Sequence, residues 1–267
     1  MEILVCVKRV PTVGGSITLT ADGQAVDTRM SGFTISPHEE CAVEEAVRLI
    51  ERRGGSVTVV TLGPAEAAEQ LRACLALGAS KAVLLETSGA ELGAIATVAS
   101  LAAVASRGAY DLVLLGNEAS DTGDYQVGIR LAHLLGRPVV TGIKALSVLD
   151  DGSGVVEARR EYRGVAETFR LPLPCVVTVK EGINLPRYPS LPGRLRAKRA
   201  VIETIPVTFT PDALRVRGLR VPAATKQAAT VLGHGVEAVP ELVRVFGELG
   251  VFRLRRFALA SPAHARV

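Results

Sequence analysis

Residues 111–128 read DLVLLGNEASDTGDYQVG. The apolar run Leu112 to Leu115 stops at Gly116, and a polar loop follows. A run this short, bounded by turn residues, has the pattern of a strand buried on both faces. Glycine directly after such a strand lets a ligand approach the backbone, and Asp121-Thr122-Gly123 can cap a helix whose first amides face an anion. That is a phosphate site in outline. Glu118, Asp121 and Asp124 set negative charge into the same loop, and the stretch is neither a Walker A nor a GxGxxG sequence. An ordinary capped turn is the competing reading.

Working outward, the same grammar recurs up to about residue 140. Ile3 to Val7, Val57 to Leu62 and Ala82 to Leu85 are short apolar runs, separated by segments with helical spacing such as Ala42, Ala46, Leu49 and Ile50. Apolar strands alternating with helices predict a doubly wound, mainly parallel α/β sheet, whose ligands sit at the carboxyl ends of the strands. Ser36-Pro37-His38-Glu39 offers a serine N-cap, a proline at the first helical position and a glutamate at the third. The helix it starts should run to about Arg53, where Gly54-Gly55 ends it. The first strand places Cys6 near the middle of the sheet and Lys8-Arg9 at its carboxyl edge, where cations suit a phosphate or an interface.

After Pro138 the texture changes. Val139 to Leu149, Gly154 to Tyr162, Val165 to Leu171 and Val176 to Val179 read as strands or hairpins, an antiparallel extension of the sheet. A loop from Gly182 to Pro192 leads into the basic segment Arg194, Arg196, Lys198, Arg199. A late amphipathic stretch, Val239 to Leu249, has helical spacing.

Composition narrows the function classes. The chain has 267 residues and a net charge of +4; its mean hydropathy is +0.30. No apolar run approaches the roughly 20 residues of a spanning helix. The N-terminus lacks the basic and small-residue signature of a signal peptide, so a cytoplasmic protein is expected. Cys6, Cys41, Cys74 and Cys175 form no CxxC pair and, like the four histidines, are dispersed, so no metal site is expected. The basic segment has no interleaved aromatics on which nucleic acid could stack. No Ser-His-acid grouping or HExxH helix appears, and no catalytic residue is assigned.

Several segments, in order, resemble the electron-transfer flavoprotein beta subunit family: ILVCVKRVP, SPHEECAVEEAVRL, TLGPAEAAEQLRACLALGA, DLVLLGNEASDTGDYQVG and AETFRLPLPCVVTVKEGINLPRYPSLPGRLRAKR, spanning roughly residues 1 to 200. The resemblance implies a heterodimer with an alpha subunit that holds most of a redox-active FAD, and a second nucleotide, an AMP of structural role, in this chain. Carried over by position, the AMP residues are Cys6, Ser36, Pro37, His38, Glu39, Leu62 and Gly116-Asn117-Glu118-Ala119-Ser120-Asp121-Thr122-Gly123-Asp124-Tyr125-Gln126-Val127. Serine stands at position 36 for the family's frequent asparagine, and histidine at 38 for an aromatic residue near the flavin.

The resemblance also implies a loop, about 183–199, that docks flavin dehydrogenases through Leu191, with Arg194, Arg196 and Lys198 steering association. Glu161 matches a position that contacts the FAD-bearing region of the alpha subunit. Electrons would leave to an acceptor such as a quinone oxidoreductase. The implied organisation is a nucleotide-binding domain over 1–206 and a C-terminal arm over 207–267 that packs on the partner subunit. Two alternatives stay open: a bifurcating relative with a second FAD in this chain, and an adenine-nucleotide sensor of the universal-stress type.

Overall fold

Ile3 to Val7 are at most 5% exposed, as a strand covered on both faces requires. The computed structural model describes residues 1–12, 14, 17–89, 91–209, 214, 216–222 and 229–251. In chain order these form β1 (Glu2–Val7), β2 (Arg9–Pro11), β3 (Phe33–Ile35), α1 (Pro37–Arg53), β4 (Ser56–Gly63), α2 (Ala68–Leu77), β5 (Lys81–Glu86) and α3 (Ala94–Ala105). There follow β6 (Leu112–Gly116), α4 (Val127–Leu135), β7 (Val139–Ile143), β8 (Ala145–Val148), β9 (Val155–Tyr162), β10 (Val165–Pro172), β11 (Cys175–Val179), α5 (Leu191–Arg199), β12 (Glu203–Pro206) and α6 (Val239–Glu248).

Seven strands make one sheet in the order β12-β5-β4-β1-β6-β11-β7, and every pairing in it is parallel. Side-chain alternation divides the core. Ile3, Val5, Val57, Val59, Leu112, Leu114 and Val177 face α1, α2 and α5, while Leu4, Cys6, Val60, Val113, Leu115 and Val176 face α3 and α4. The sheet is doubly wound as the strand–helix alternation predicts.

The expected antiparallel extension is smaller than its sequence suggests. Val176–Val179 and Val139–Ile143 are not part of it: β11 lies between β6 and β7, parallel to both. All five residues of β11 are buried, which fits a central parallel strand and not a half-exposed hairpin arm. Only β8, β9 and β10 form the antiparallel sheet. Its tip is a two-residue turn in which Arg163 and Gly164 both have positive φ, 50° and 78°, the requirement of a type I′ hairpin.

Of the loop over about 183–199 that the resemblance implies, the part from Leu191 to Arg199, which carries the basic run, is the helix α5. Ser190 Oγ accepts the Gly193 amide at 3.2 Å, Pro192 suits the first turn, and Arg72 on α2 donates to the Ala197, Lys198 and Ala200 carbonyls at the far end. Gly193 and Ala197 are the buried residues of α5. A Cβ at position 193 would stand 2.6 Å from the Ala76 carbonyl oxygen, so glycine is what allows α5 to lie against α2.

The chain divides into two units, Met1–Val221 and Pro222–Val267. In the second, the amphipathic stretch forms α6, with no buried residue. Residues 210–213, 215, 223–228 and 252–267 of the expected arm lie outside the described residues. No described helix is long and apolar enough to cross a membrane.

Candidate functional site

From β1 the sheet grows through β4 and β5 on one side and through β6 on the other, so its winding reverses between β1 and β6. Open α/β sheets bind their ligands at this reversal, outside the carboxyl ends of the strands. Three segments meet there: Lys8 after β1, the first turn of α1, and the loop after β6.

The first turn of α1 is packed tightly against the end of β6. A Cβ on Gly116 would fall 2.6 Å from Glu39 Cγ and 3.2 Å from both the Glu39 amide nitrogen and His38 Cβ. The glycine after β6 thus admits a helix, where its sequence context suggested direct approach by a ligand. Ser36 is the N-cap by position, but its hydroxyl bonds no amide of the first turn. Its Oγ is buried and finds no partner at hydrogen-bonding geometry, although it lies beside the Glu39 carboxylate. Pro37 follows with no amide hydrogen to satisfy.

Glu39 is 7% exposed and accepts the Lys8 amide at 2.8 Å. Burial pushes its carboxyl up to about 8, against the opposing pull of the Lys8 amide. Near neutral pH it is therefore mostly protonated and does not add a negative charge to the crevice. Cys6, 5% exposed in mid-sheet, has its thiol raised by burial and then by Glu39, so it is no thiolate nucleophile. Leu62, half-buried near the end of β4, packs on the α3–α4 face.

The loop after β6 is held by three contacts. Lys8 Nζ pairs with Asp121 Oδ2 at 2.6 Å, and with Glu91 at 3.4 Å. The Asn117 amide nitrogen donates to the Val179 carbonyl at 2.9 Å. Its side chain ends a relay in which the Gly142 amide donates to Thr178 Oγ1 and that hydroxyl donates to Asn117 Oδ1, each at 2.9 Å. The relay leaves the Asn117 Nδ2 hydrogens as free donors among the described residues.

Glu118 gathers the remaining side chains. His38 Nδ1 accepts the Glu181 amide at 2.8 Å, which places a ring hydrogen on Nε2, facing Glu118 Oε1 at 3.5 Å. The Tyr125 hydroxyl lies against the same carboxylate, which holds its pKa above the ordinary value. Tyr125 has a left-handed backbone, φ 57°, and is 52% exposed, an arrangement that a side chain adopts where its surroundings enforce it.

The expected cap is absent. α4 begins at Val127, after Gln126, and no side chain caps it. Asp121 is spent on Lys8, and the Gln126 carboxamide accepts Arg130 at 3.0 Å. The first-turn amides of α4 are left without a side-chain cap near the carboxyl ends of β6 and β11. Gly123 closes a turn onto the Ala119 carbonyl at 2.9 Å; Ser120, Thr122 and Asp124 are exposed.

The fold brings together Cys6, Ser36–Glu39, Leu62 and the loop Gly116–Val127, and it adds Lys8, Thr178, Gly142 and the Glu181 amide. Thr178 was detectable as the one polar residue inside the apolar run CVVTV; the backbone amides carry no sequence signal. The other expected residues lie elsewhere. Leu191 is 71% exposed at the start of α5, where Arg194, Arg196 and Lys198 are exposed too. Glu161 is exposed near the tip of the β9–β10 hairpin.

Comparison with known proteins assigns the fold to a family. The model of the electron transfer flavoprotein domain matches residues 25–210. The chain is 36% identical to electron transfer flavoprotein subunit beta of Bradyrhizobium diazoefficiens over 255 residues, 94% of this chain and 100% of that one. It is 37% identical to the human subunit beta over 209 residues, 77% of this chain and 81% of that one. To the Bacillus subtilis subunit beta it is 40% identical over 175 residues, 65% and 67% of the two chains. With its parallel sheet, its crevice at the winding reversal and these relatives taken together, the chain belongs to the electron transfer flavoprotein beta subunit family.

Proposed function

We propose that this chain is the beta subunit of a heterodimeric electron carrier, with AMP in the crevice between β1 and β6 and FAD held mainly by an alpha subunit. The observation that carries the AMP reading is the open donor set at that crevice: the uncapped first turn of α4 and the free Asn117 Nδ2 group. Backbone amides at a helix start suit a phosphate, and a carboxamide suits the ribose and base edges. Lys8 is balanced by Asp121 and Glu91, so the crevice has little spare positive charge even with Glu39 mostly neutral. That favours a ligand with one phosphate over one with several.

A bound flavin supplies the redox chemistry, because its ring accepts and releases electrons singly or in pairs. This chain's part is to bind and orient. The crevice residues hold a nucleotide that fixes the first turn of α1 and the loop after β6. Leu191 offers an exposed apolar anchor to a flavin dehydrogenase, with Arg194, Arg196 and Lys198 attracting an acidic rim. Glu161 on its hairpin tip faces the FAD-bearing region of the alpha subunit, and the arm after residue 206 packs on that subunit. Electrons leave to an acceptor such as a quinone oxidoreductase, in the cytoplasm.

Coexpression with the alpha subunit followed by denaturation and nucleotide identification tests the proposal. One FAD and one AMP per heterodimer is the expected result. Two FAD and no AMP would favour the bifurcating reading, and a colourless chain that forms no heterodimer would refute the assignment.

A further inference from the structure

Beyond the crevice, the exposed segment that leads into α5 is densely bonded to α1. Asn184 Nδ2 donates to the Cys41 carbonyl at 3.0 Å and to Glu45 Oε2 at 3.1 Å. Arg187 donates from its amide and Nε to Glu44 Oε2, at 3.1 and 2.9 Å, and from Nη2 to Glu44 Oε1 at 3.1 Å. Its Nη1 and Nη2 also reach the two oxygens of Glu51, at 2.6 and 2.9 Å. Arg48 completes the set with Glu44 Oε1 at 2.7 Å.

Glu44 is only 1% exposed. Burial pushes its pKa up, but the bonds from Arg187 and Arg48 outweigh that and leave it below the ordinary carboxylate value. The fold has thus buried a carboxylate on α1 and satisfied it with an arginine from a surface loop. A planar guanidinium that grips two carboxylates at once fixes both position and orientation of the backbone that carries it.

The loop held in this way has no core of its own to serve. Leu185 is 83% exposed, Tyr188 92% and Leu191 71%, with Pro186 and Pro189 between them and Pro192 directly after. Three apolar side chains standing in water on a rigid backbone mark a contact surface. Arg194, Arg196 and Lys198 beside them make no ion pair among the described residues, so the complementary surface is an apolar socket with an acidic rim.

We infer that Arg187 is a positioning residue for partner docking: by clamping Glu44 and Glu51 of α1 it presets the 184–191 loop, so that Leu185 and Tyr188 engage the partner along with Leu191. The inference rests on the docking role proposed for Leu191. Fixing the loop before the encounter removes an ordering cost from association, and removing the clamp should weaken binding without touching electron transfer inside the complex.

The test uses the intact heterodimer, with a flavin dehydrogenase that reduces the wild-type protein as electron donor. Arg187→Lys keeps the charge and loses the two-pronged grip. It should raise the KM for the heterodimer on the order of tenfold with kcat unchanged, and speed hydrogen–deuterium exchange in residues 184–190 while flavin content stays the same. Glu51→Gln, which alters only the half-exposed outer carboxylate and does not endanger folding, should give a smaller change in the same direction in both readouts. Faster exchange with unchanged KM in both variants overturns the inference, and so does a raised KM without faster exchange. Leu191→Ala separates the two ideas. If it raises KM and the clamp variants do not, only the clamp fails; if it leaves KM unchanged, the docking role itself falls and the inference with it.

Discussion

Replacing Glu39 by glutamine should make the protein more stable in mild alkali than wild type, with the gain vanishing in acid. The carboxyl is raised from the ordinary 4.5 to about 8, chiefly by burial. Below pH 4.5 folded and unfolded chains both hold the proton, and the group contributes nothing to pH dependence. Between pH 4.5 and about 8 the folded chain keeps a proton that the unfolded chain has released, so stability falls as pH rises, by about 1.4 kcal/mol per pH unit. Over that window the full effect approaches roughly 5 kcal/mol, and water entry or local rearrangement would reduce it to roughly 3. Above about 8 both states are ionised and the curve is flat again.

Glutamine has nearly the same shape, and its carbonyl oxygen can accept the Lys8 amide that Glu39 Oε2 accepts at 2.8 Å. Denaturant unfolding of the two proteins side by side at pH 5 and pH 8 isolates this group, since every other titrating residue is common to both. The variant should gain roughly 3 kcal/mol relative to wild type between the two pH values. Equal pH slopes would show that Glu39 is ionised in the folded chain at neutral pH, and the argument that the crevice is spared its charge would fail. Bound AMP extends the test: affinity should fall above pH 8 in wild type, as the carboxylate forms, and stay level in the variant.

Other consequences follow from the packing. Gly116→Ala should destabilise the chain by roughly 1–3 kcal/mol and lower retention of nucleotide, because its methyl meets Glu39 Cγ at 2.6 Å and the Glu39 amide at 3.2 Å; thermal unfolding and AMP content after gel filtration read both effects. Thr178→Val preserves shape but breaks the relay from Gly142 to Asn117, leaving a donor and an acceptor unmatched at a cost of roughly 1–3 kcal/mol. Its AMP off-rate should rise, and an unchanged off-rate would remove Asn117 from the site. Gly193→Ala places a methyl 2.6 Å from the Ala76 carbonyl, so α5 must shift from α2; the measurable result is faster hydrogen exchange in residues 191–199 with the rest of the sheet unaffected.

The sheet was legible because its cause is local. Runs such as Ile3–Val7 and Leu112–Leu115 are apolar at every position, and only a strand buried on both faces has use for that pattern. The α1 start was equally clear from Ser36-Pro37, since proline at the first helical position is a backbone constraint. The reading failed where neighbours in sequence are not neighbours in space. Cys175–Val179 follows two hairpin strands, yet it is inserted between β6 and β7, and nothing in CVVTV names the strands it pairs with. Likewise Asp121-Thr122-Gly123 has the composition of a cap, but Lys8, 113 residues away in sequence, claims the aspartate.

Sequence alone therefore determined that this is a parallel α/β protein with a polar loop after an apolar strand, and the ordered match of its segments pointed to its family. Composition and periodicity act through the backbone, residue by residue, and can be read without knowing where the chain goes. Tertiary structure alone decided that Glu39 is buried with its carboxyl raised, that His38 Nδ1 accepts the Glu181 amide, and that Arg187 grips Glu44 and Glu51 of α1. Protonation and ion pairing depend on distance and on exclusion of water, and both are set only when segments far apart in the chain are brought into contact.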